Sequence, residues 1–149
     1  MSRKEEAVEM FCDGHLCSQA VLAALCERYD VDRETAIRFG TGFGGGLGCL
    51  GRTCGAVTGA VGVLGLALGS IHADDKASRE RTFAAVRRFA EAFIARHGSL
   101  DCRDLLACDI STPEGHERAT EEGLFDRICP DLVGSAVEVL EETLRSAGK

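Results

Sequence analysis

The 149-residue sequence has few aromatic residues and only two prolines. Phenylalanine, tyrosine and tryptophan together make up 5% of the chain, so its core must consist of aliphatic residues, alanine and glycine. It has no alternating strand pattern, low-complexity tract or internal repeat, and we expect a single domain over residues 1–149. Helical spacing of apolar residues predicts an all-α fold, a compact bundle of about five main helices with a glycine-rich loop.

Positive charge is also scarce. With 17 Lys and Arg against 24 Asp and Glu, the net charge is -7. Such an acidic chain repels nucleic-acid phosphates and anionic membranes, so we expect neither as a partner. The first residues, MSRKEEAVEMF, lack the apolar stretch of a secretory signal, which predicts a cytoplasmic protein.

No two of the eight cysteines form a C-x-x-C pair. This absence argues against a zinc ribbon and a thioredoxin motif, and the absence of C-x-x-C-H argues against covalent haem. In a reducing cytoplasm, so many cysteines indicate metal or redox chemistry rather than structural disulfides. The four histidines do not cluster at ligand spacing, and neither a Ser-His-Asp order nor a paired-carboxylate site is evident.

Capping residues divide the chain into helices. Asp32, Asp75 and Thr112 are predicted N-caps, and Gly98 and Gly123 are predicted helix stops. The expected helices are residues 4–11, 16–29, 32–39, 53–71, 75–97, a short one ending near residue 106, one from Pro113, and a last one from Pro130.

Four cysteines lie at predicted helix starts. Cys17 is in a first turn, Cys54 and Cys102 open helices, and Cys129 is at the N-cap before Pro130. Free N–H groups and the helix dipole favour a thiolate there, and they also suit a thiolate bound to iron. Four thiolates are the ligand count of a [2Fe–2S] or [4Fe–4S] cluster. The sequence therefore predicts one metal site where these cysteines converge.

Four further residues are auxiliary candidates for this site: His15, Cys12, Cys49 and Cys108. Cys12 lies five residues before Cys17, and Cys49 lies five before Cys54, so each is placed to resolve a disulfide with its neighbour. His15, two residues before Cys17, is a candidate ligand or hydrogen-bond donor. A role in packing stays open for each cysteine, because free cysteine often packs as a small hydrophobic residue. For Cys26 we expect this role.

Residues 40–69, GTGFGGGLGCLGRTCGAVTGAVGVLGLALG, invite three interpretations. A G-x-G-x-x-G match begins at Gly40, but no strand precedes it and no G-K-[ST] follows, which argues against a nucleotide site. Residues 53–71 carry no charge, yet glycine and threonine dilute their hydrophobicity, which favours a buried core helix over a membrane span. The third interpretation is close packing.

On a helix, the glycines of residues 51–69 share one face, within an arc of about 120°. They are Gly51, Gly55, Gly59, Gly62, Gly65 and Gly69. Each helix-interior glycine costs about 1 kcal/mol relative to alanine, so this face predicts close approach by another helix, by the same helix in a homodimer, or by a cofactor. Loop 42–51 is expected to wrap over the cysteine site and to direct N–H groups into it. The glycines expected at the cofactor are Gly44, Gly45, Gly46, Gly55 and Gly59.

Four motifs resemble those of the C_GCAxxG_C_C family, a bacterial and archaeal group of proteins named for redox activity. They are CSQAVL from Cys17, GFGGGLGCLGRTCGAVTGA from Gly42, CRDLLACD from Cys102 and CP at Cys129. The resemblance covers almost the whole chain, with one departure, since Thr53 precedes Cys54 and Gly55 follows it. It implies that the four defining cysteines are Cys17, Cys54, Cys102 and Cys129, and that the fold is similar to the helical part of split-Soret cytochromes.

Together these features predict an iron–sulfur protein of unspecified cluster type that transfers electrons to a partner protein or senses redox state. Two alternatives stay open. One is a metal-free thiol–disulfide redox protein, and the other is a structural or interaction module stabilised by zinc, which also binds four thiolates.

Overall fold

The chain folds into eight α-helices and contains no strand. We describe it from a computed structural model that covers residues 1–149. The helices are α1 (Arg3–Cys12), α2 (Cys17–Leu25), α3 (Arg33–Gly40), α4 (Gly55–Leu68), α5 (Lys76–His97), α6 (Cys102–Leu106), α7 (Pro113–Glu121) and α8 (Leu124–Ser146). The all-α prediction is confirmed, with α3, α6 and α7 as short additions to the five expected main helices. None of the eight is long and apolar enough to cross a membrane.

Most helix boundaries follow the predicted caps. The side chains of Asp32, Asp75 and Thr112 each accept a hydrogen bond from the backbone amide three residues further along. Gly98 and Gly123 adopt the left-handed conformation at the ends of α5 and α7, with φ of 88° and 66°. These short-range signals are local, so the sequence alone specifies them.

The start of α8 was predicted wrongly. The helix begins at Leu124, so Cys129 and Pro130 lie inside it rather than at its first turn. Gly123 ends α7 and directly becomes the N-cap of α8. Pro130 has no N–H to donate to the carbonyl of Asp126, but Asp126 is exposed, so water can solvate that carbonyl.

The main core lies between α8, α4 and α2. Helix α8 packs against α1, α4 and α5, while α2 packs against α1, α3 and α4. Its 27 buried residues are mostly aliphatic or alanine, as predicted, and Phe89 and Phe93 are its only aromatic members. The helical spacing of apolar residues in α5 predicts that Phe83 and Ile94 also face this core, but both are exposed. Helix α5 lies at the surface and buries only the narrower stripe that includes Ala85, Phe89 and Phe93.

A second, smaller core lies under α6, α7 and the start of α8. It consists of Leu106, Cys108, Ile110, Ala119, Leu124 and Cys129. We call this group of six residues the satellite core. Cys54 belongs to the main core, whereas half-buried Cys17 packs against both cores. The candidate cysteines therefore lie where the two cores meet.

The glycine face of α4 packs against α2 of the same chain. A Cβ atom at Gly59 would lie 3.0 Å from the Ser18 carbonyl oxygen, and one at Gly62 would lie 3.0 Å from a Leu22 methyl group. The predicted close approach is thus present, and its partner is an intramolecular helix. Helix α2 covers Gly55, Gly59 and Gly62, so the close approach at these three glycines needs no second subunit.

We predict that Gly59→Leu destabilises the fold. Its side chain would overfill the contact with α2, at a cost of about 1–3 kcal/mol or more. Gly65→Leu is the matched control, since a Cβ there meets no atom within 4 Å. Urea denaturation should show a clearly lower free energy of unfolding for Gly59→Leu and no decrease for Gly65→Leu. Equal stability of the two variants would contradict the packing described.

Candidate functional site

Four cysteine side chains from four helices line one cavity of about 410 Å³. They are Cys17 of α2, Cys54 at the N-cap of α4, Cys102 of α6 and Cys129 of α8. All four are free thiols. The structure thus brings together residues that are up to 112 positions apart in the sequence, since 129 minus 17 is 112.

Backbone pairing holds Cys54 beside Cys102. The residues just before them form the only antiparallel bridge in the chain. The Cys54 N–H donates to the Leu100 carbonyl at 2.8 Å, and the Cys102 N–H donates to the Arg52 carbonyl at 2.6 Å. These bonds align the starts of α4 and α6, so both cysteines line the same cavity.

Close packing of α2 on α4 brings Cys17 to the same place. A Cβ atom at Gly55 would lie 3.3 Å from the Cys17 Cβ, so the missing side chain makes room for this cysteine. Cys17 lies close enough to Cys129 for the two thiols to shift each other's pKa. Three of the four cysteines lie at helix starts as predicted, and Cys129 reaches the cavity from within α8.

Burial governs the ionisation of two of these thiols. It raises the pKa of Cys54 to about 11, although the amides of Ala56 and Val57 face its sulfur and oppose the rise. It raises the pKa of Cys102 to about 12, and the neighbouring Cys54 and Cys129 sulfurs add to the effect. We expected helix starts to favour thiolates, but at these two positions desolvation outweighs the helix dipole.

The interaction between the Cys17 and Cys129 thiols separates the pKa values of this pair. It lowers the pKa of Cys129. It raises the pKa of Cys17, and burial raises that pKa further. Cys129 is therefore the thiol of this pair that loses its proton first.

We predict that the metal-free, reduced protein loses stability above pH 8.5. The folded state holds the Cys54 proton up to a pKa of about 11, whereas an unfolded thiol has a pKa of about 8.5. The contribution is thus fully present below pH ~8.5 and is lost as pH rises toward the folded value, by about 3 kcal/mol in all. Urea denaturation at pH 8 and at pH ~10.5 measures how much the free energy of unfolding falls between the two. This fall should be smaller for Cys54→Ser than for the native chain. Identical losses would contradict the assignment.

The glycine-rich loop turns with left-handed geometry beside the cavity. Residues 45–49 all have φ between 53° and 71°. Leu47 and Cys49 are the non-glycine members, and each costs about 1–2 kcal/mol in this conformation. The turn places Gly45, Gly46 and Cys49 in the cavity lining.

The loop uses most of its own amides. The N–H groups of residues 47–52 donate to carbonyls within residues 42–47. The N–H groups of residues 47–52 therefore do not point into the site as expected, because the left-handed turn closes its own hydrogen bonds. The amides of Gly45 and Gly46 make no such bond, and they remain free in the cavity lining.

Other predicted residues divide into two groups. Those that line the cavity with the four cysteines are His15, Cys12, Cys49, Gly45, Gly46 and Gly55. Gly44, Gly59 and Cys108 do not. Gly44 lies against the Leu16 side chain, Gly59 lies under α2, and the Cys108 thiol donates to the Gly115 carbonyl at 3.2 Å.

Sequence reasoning missed one wall of the cavity, which is formed by residues in the last third of the chain. Residues 105–126 contribute seven lining residues: Leu105, Leu106, Ile110, His116, Thr120, Phe125 and Asp126. His116 packs its ring against Phe125. No motif marks these residues, because they reach the cavity only through the packing of α6, α7 and α8.

The cavity cysteines surround a space rather than a point. No group of three or more Cys, His, Asp or Glu side chains is close enough together to hold a single metal ion. A zinc site needs four ligands, with Zn–S distances of about 2.3 Å. The arrangement described here does not provide that geometry.

A family model matches residues 15–143, nearly the whole chain and all four cavity cysteines. Its description is "Putative redox-active protein (C_GCAxxG_C_C)". The chain belongs to this family. Searches of curated proteins and of solved structures found no match. The likeness to split-Soret cytochromes stays a prediction.

Proposed function

We propose that this member of the C_GCAxxG_C_C family is a redox protein that binds an iron–sulfur cluster through Cys17, Cys54, Cys102 and Cys129. The observation that carries the proposal is that four free thiols, from four separate helices, line one cavity. Four cysteine thiolates are the usual ligand set of such clusters. The family description supports redox activity in general terms.

Four thiolates suit either an iron–sulfur cluster or zinc. The ligands of a cluster bind different iron atoms, so they need not converge on one centre. The structure has no group of three or more Cys, His, Asp or Glu side chains gathered around a single point, which is compatible with a cluster. A bound cluster would supply one-electron transfer to a partner protein.

The chain's own groups would compensate the charge of bound thiolates. No lysine or arginine lines the cavity. Backbone amides take this role, namely those of Ala56 and Val57 at Cys54 and the unpaired ones of Gly45 and Gly46. Amides that donate to sulfur tune the potential of iron–sulfur centres.

The test is anaerobic purification followed by iron and acid-labile sulfide analysis. We expect brown protein that contains both elements in similar amounts. Colourless protein with neither element, after reconstitution with ferrous iron and sulfide, would overturn the proposal. Bound zinc in their place would support the zinc alternative instead.

A second candidate is a metal-free thiol–disulfide redox protein. The pair Cys17 and Cys129 favours it, because both thiols line the cavity and Cys17 lowers the pKa of Cys129. The Cys129 thiolate would attack a small organic disulfide and release one of its thiols. Cys17 would then displace the other thiol, which leaves a Cys17–Cys129 disulfide and two reduced small thiols.

Oxidised glutathione is the probe for this second function. Mass spectrometry of the treated metal-free protein should show one internal disulfide joining Cys17 to Cys129. Cys129→Ser should abolish this product, whereas Cys108→Ser should not. A random mixture of mixed disulfides on all eight cysteines would reject this candidate.

A further inference from the structure

The cavity offers more surface than four thiols need. Its volume of about 410 Å³ lies within the usual range for small-molecule pockets, about 300–1,000 Å³. Of its 21 lining residues, seven are hydrophobic and are not cysteines. Leu105, Leu106, Ile110 and Phe125 form a wall without cysteine, and the satellite core supports it. None of these four side chains offers a ligand for iron.

The charge of the lining selects against anions. It contains no lysine or arginine, and its single carboxylate is that of Asp126. An anion that entered without forming bonds to iron would lose its hydration and gain no Lys or Arg partner. For a ligand that is not bound through iron, the lining therefore favours an uncharged molecule.

His15 gives the cavity a hydrogen-bond acceptor. Its Nδ1 lies 3.3 Å from the Met10 carbonyl oxygen. A carbonyl only accepts, so this bond assigns the proton of the neutral ring to Nδ1 and leaves Nε2 as an acceptor. The rings of Phe11 and Phe125 also line the cavity. Aromatic walls beside an acceptor suit a ring that carries a hydroxyl group.

We propose that this cavity binds a small, uncharged aromatic alcohol of the phenol or hydroquinone class. Its ring packs against Phe11 and Phe125, and its hydroxyl donates to Nε2 of His15. The inference goes beyond the proposed cluster, since the residues that carry it are not cysteines.

Saturation-transfer NMR tests the proposal on the protein as purified and after removal of iron. The probes are phenol, toluene and benzoate, which share a ring and differ in hydroxyl group and charge. We expect phenol to bind in at least one of the two forms, with benzoate at least about tenfold weaker. Binding of benzoate as tight as that of phenol, or no binding of phenol to either form, would overturn the proposal.

Variants locate the site. His15→Phe keeps an aromatic ring but removes the acceptor, so phenol affinity should fall to that of toluene while toluene binding persists. Thr120→Trp adds bulk at an exposed lining position and should weaken both ligands. Glu121→Trp, at the next exposed position outside the lining, is the control. If phenol keeps its advantage over toluene in His15→Phe, or if both tryptophan variants behave alike, the proposal is wrong. Iron analysis of the same samples reports on the cluster independently.

Discussion

Replacement of any one of the four cavity cysteines with serine is expected to remove most of the iron from anaerobically purified protein. Cys17, Cys54, Cys102 and Cys129 would each provide one ligand, and a serine hydroxyl is a poor substitute for a thiolate on cluster iron. Iron content per chain, measured beside the visible absorption of each variant, checks this result. It should fall in all four variants.

Two buried cysteines outside the cavity provide matched controls. The Cys26 thiol contacts the Ala23 carbonyl within the main core, and Cys108 donates to the Gly115 carbonyl. Serine at either position tests whether a change in a buried thiol alone releases iron. Cys26→Ser and Cys108→Ser should keep their iron. If all six variants lose iron equally, or if none does, the assignment of the four ligands is refuted.

Local signals in the sequence predicted most of the fold. The caps at Asp32, Asp75 and Thr112 depend on side chains and amides three residues apart, so no tertiary information is needed. The start of α8 was mispredicted because Pro130 is typical of a first turn. Its place inside α8 depends on Leu124, which the satellite core buries, and on Phe125 and Ile128, which pack against that core. These three apolar residues are too few to show a helical period by themselves.

The candidate site was less accessible to sequence reasoning. Helix starts marked Cys17, Cys54 and Cys102, but the effect of burial on the pKa of Cys54 and Cys102 depends on neighbours that only the fold supplies. The glycine face of α4 showed that something approaches closely. A stripe of small residues does not tell whether that neighbour is α2, a second subunit or a cofactor, since each of them needs the same helix face without side chains.

The cavity wall formed by residues 105–126 shows the same limit. His116 has no spacing relation to any cavity cysteine, and it lines the cavity because α7 folds back on α8. Phe125 lies four residues before Cys129, a relation that becomes visible only once α8 is known to begin at Leu124. Such a wall appears only when helices distant in sequence are packed together. It is also the part of the cavity that distinguishes a small-molecule site from a simple set of metal ligands.

Gly46→Ala is expected to damage both the fold and the site. Gly46 has a φ of 71°, and a Cβ atom there would lie 2.6 Å from the Arg52 nitrogen, 2.7 Å from its oxygen and 2.9 Å from the Cys102 Cβ. The Arg52 carbonyl accepts the hydrogen bond from Cys102 N–H. The added methyl group must therefore displace the backbone that holds Cys102 beside Cys54.

Gly48→Ala separates this contact from backbone strain. Gly48 has a φ of 53°, but a Cβ atom there meets nothing within 4 Å. Both alanines incur about 1–2 kcal/mol of left-handed strain, and only Gly46→Ala adds overpacking of about 1–3 kcal/mol. Thermal unfolding should place Gly46→Ala several degrees below Gly48→Ala, because 1 kcal/mol shifts the melting temperature by about 2–4 °C in a chain of this size. Iron content should fall in Gly46→Ala and persist in Gly48→Ala, since only the first change reaches Cys102. Equal melting temperatures and equal iron in the two variants would show that the loop does not position this cysteine.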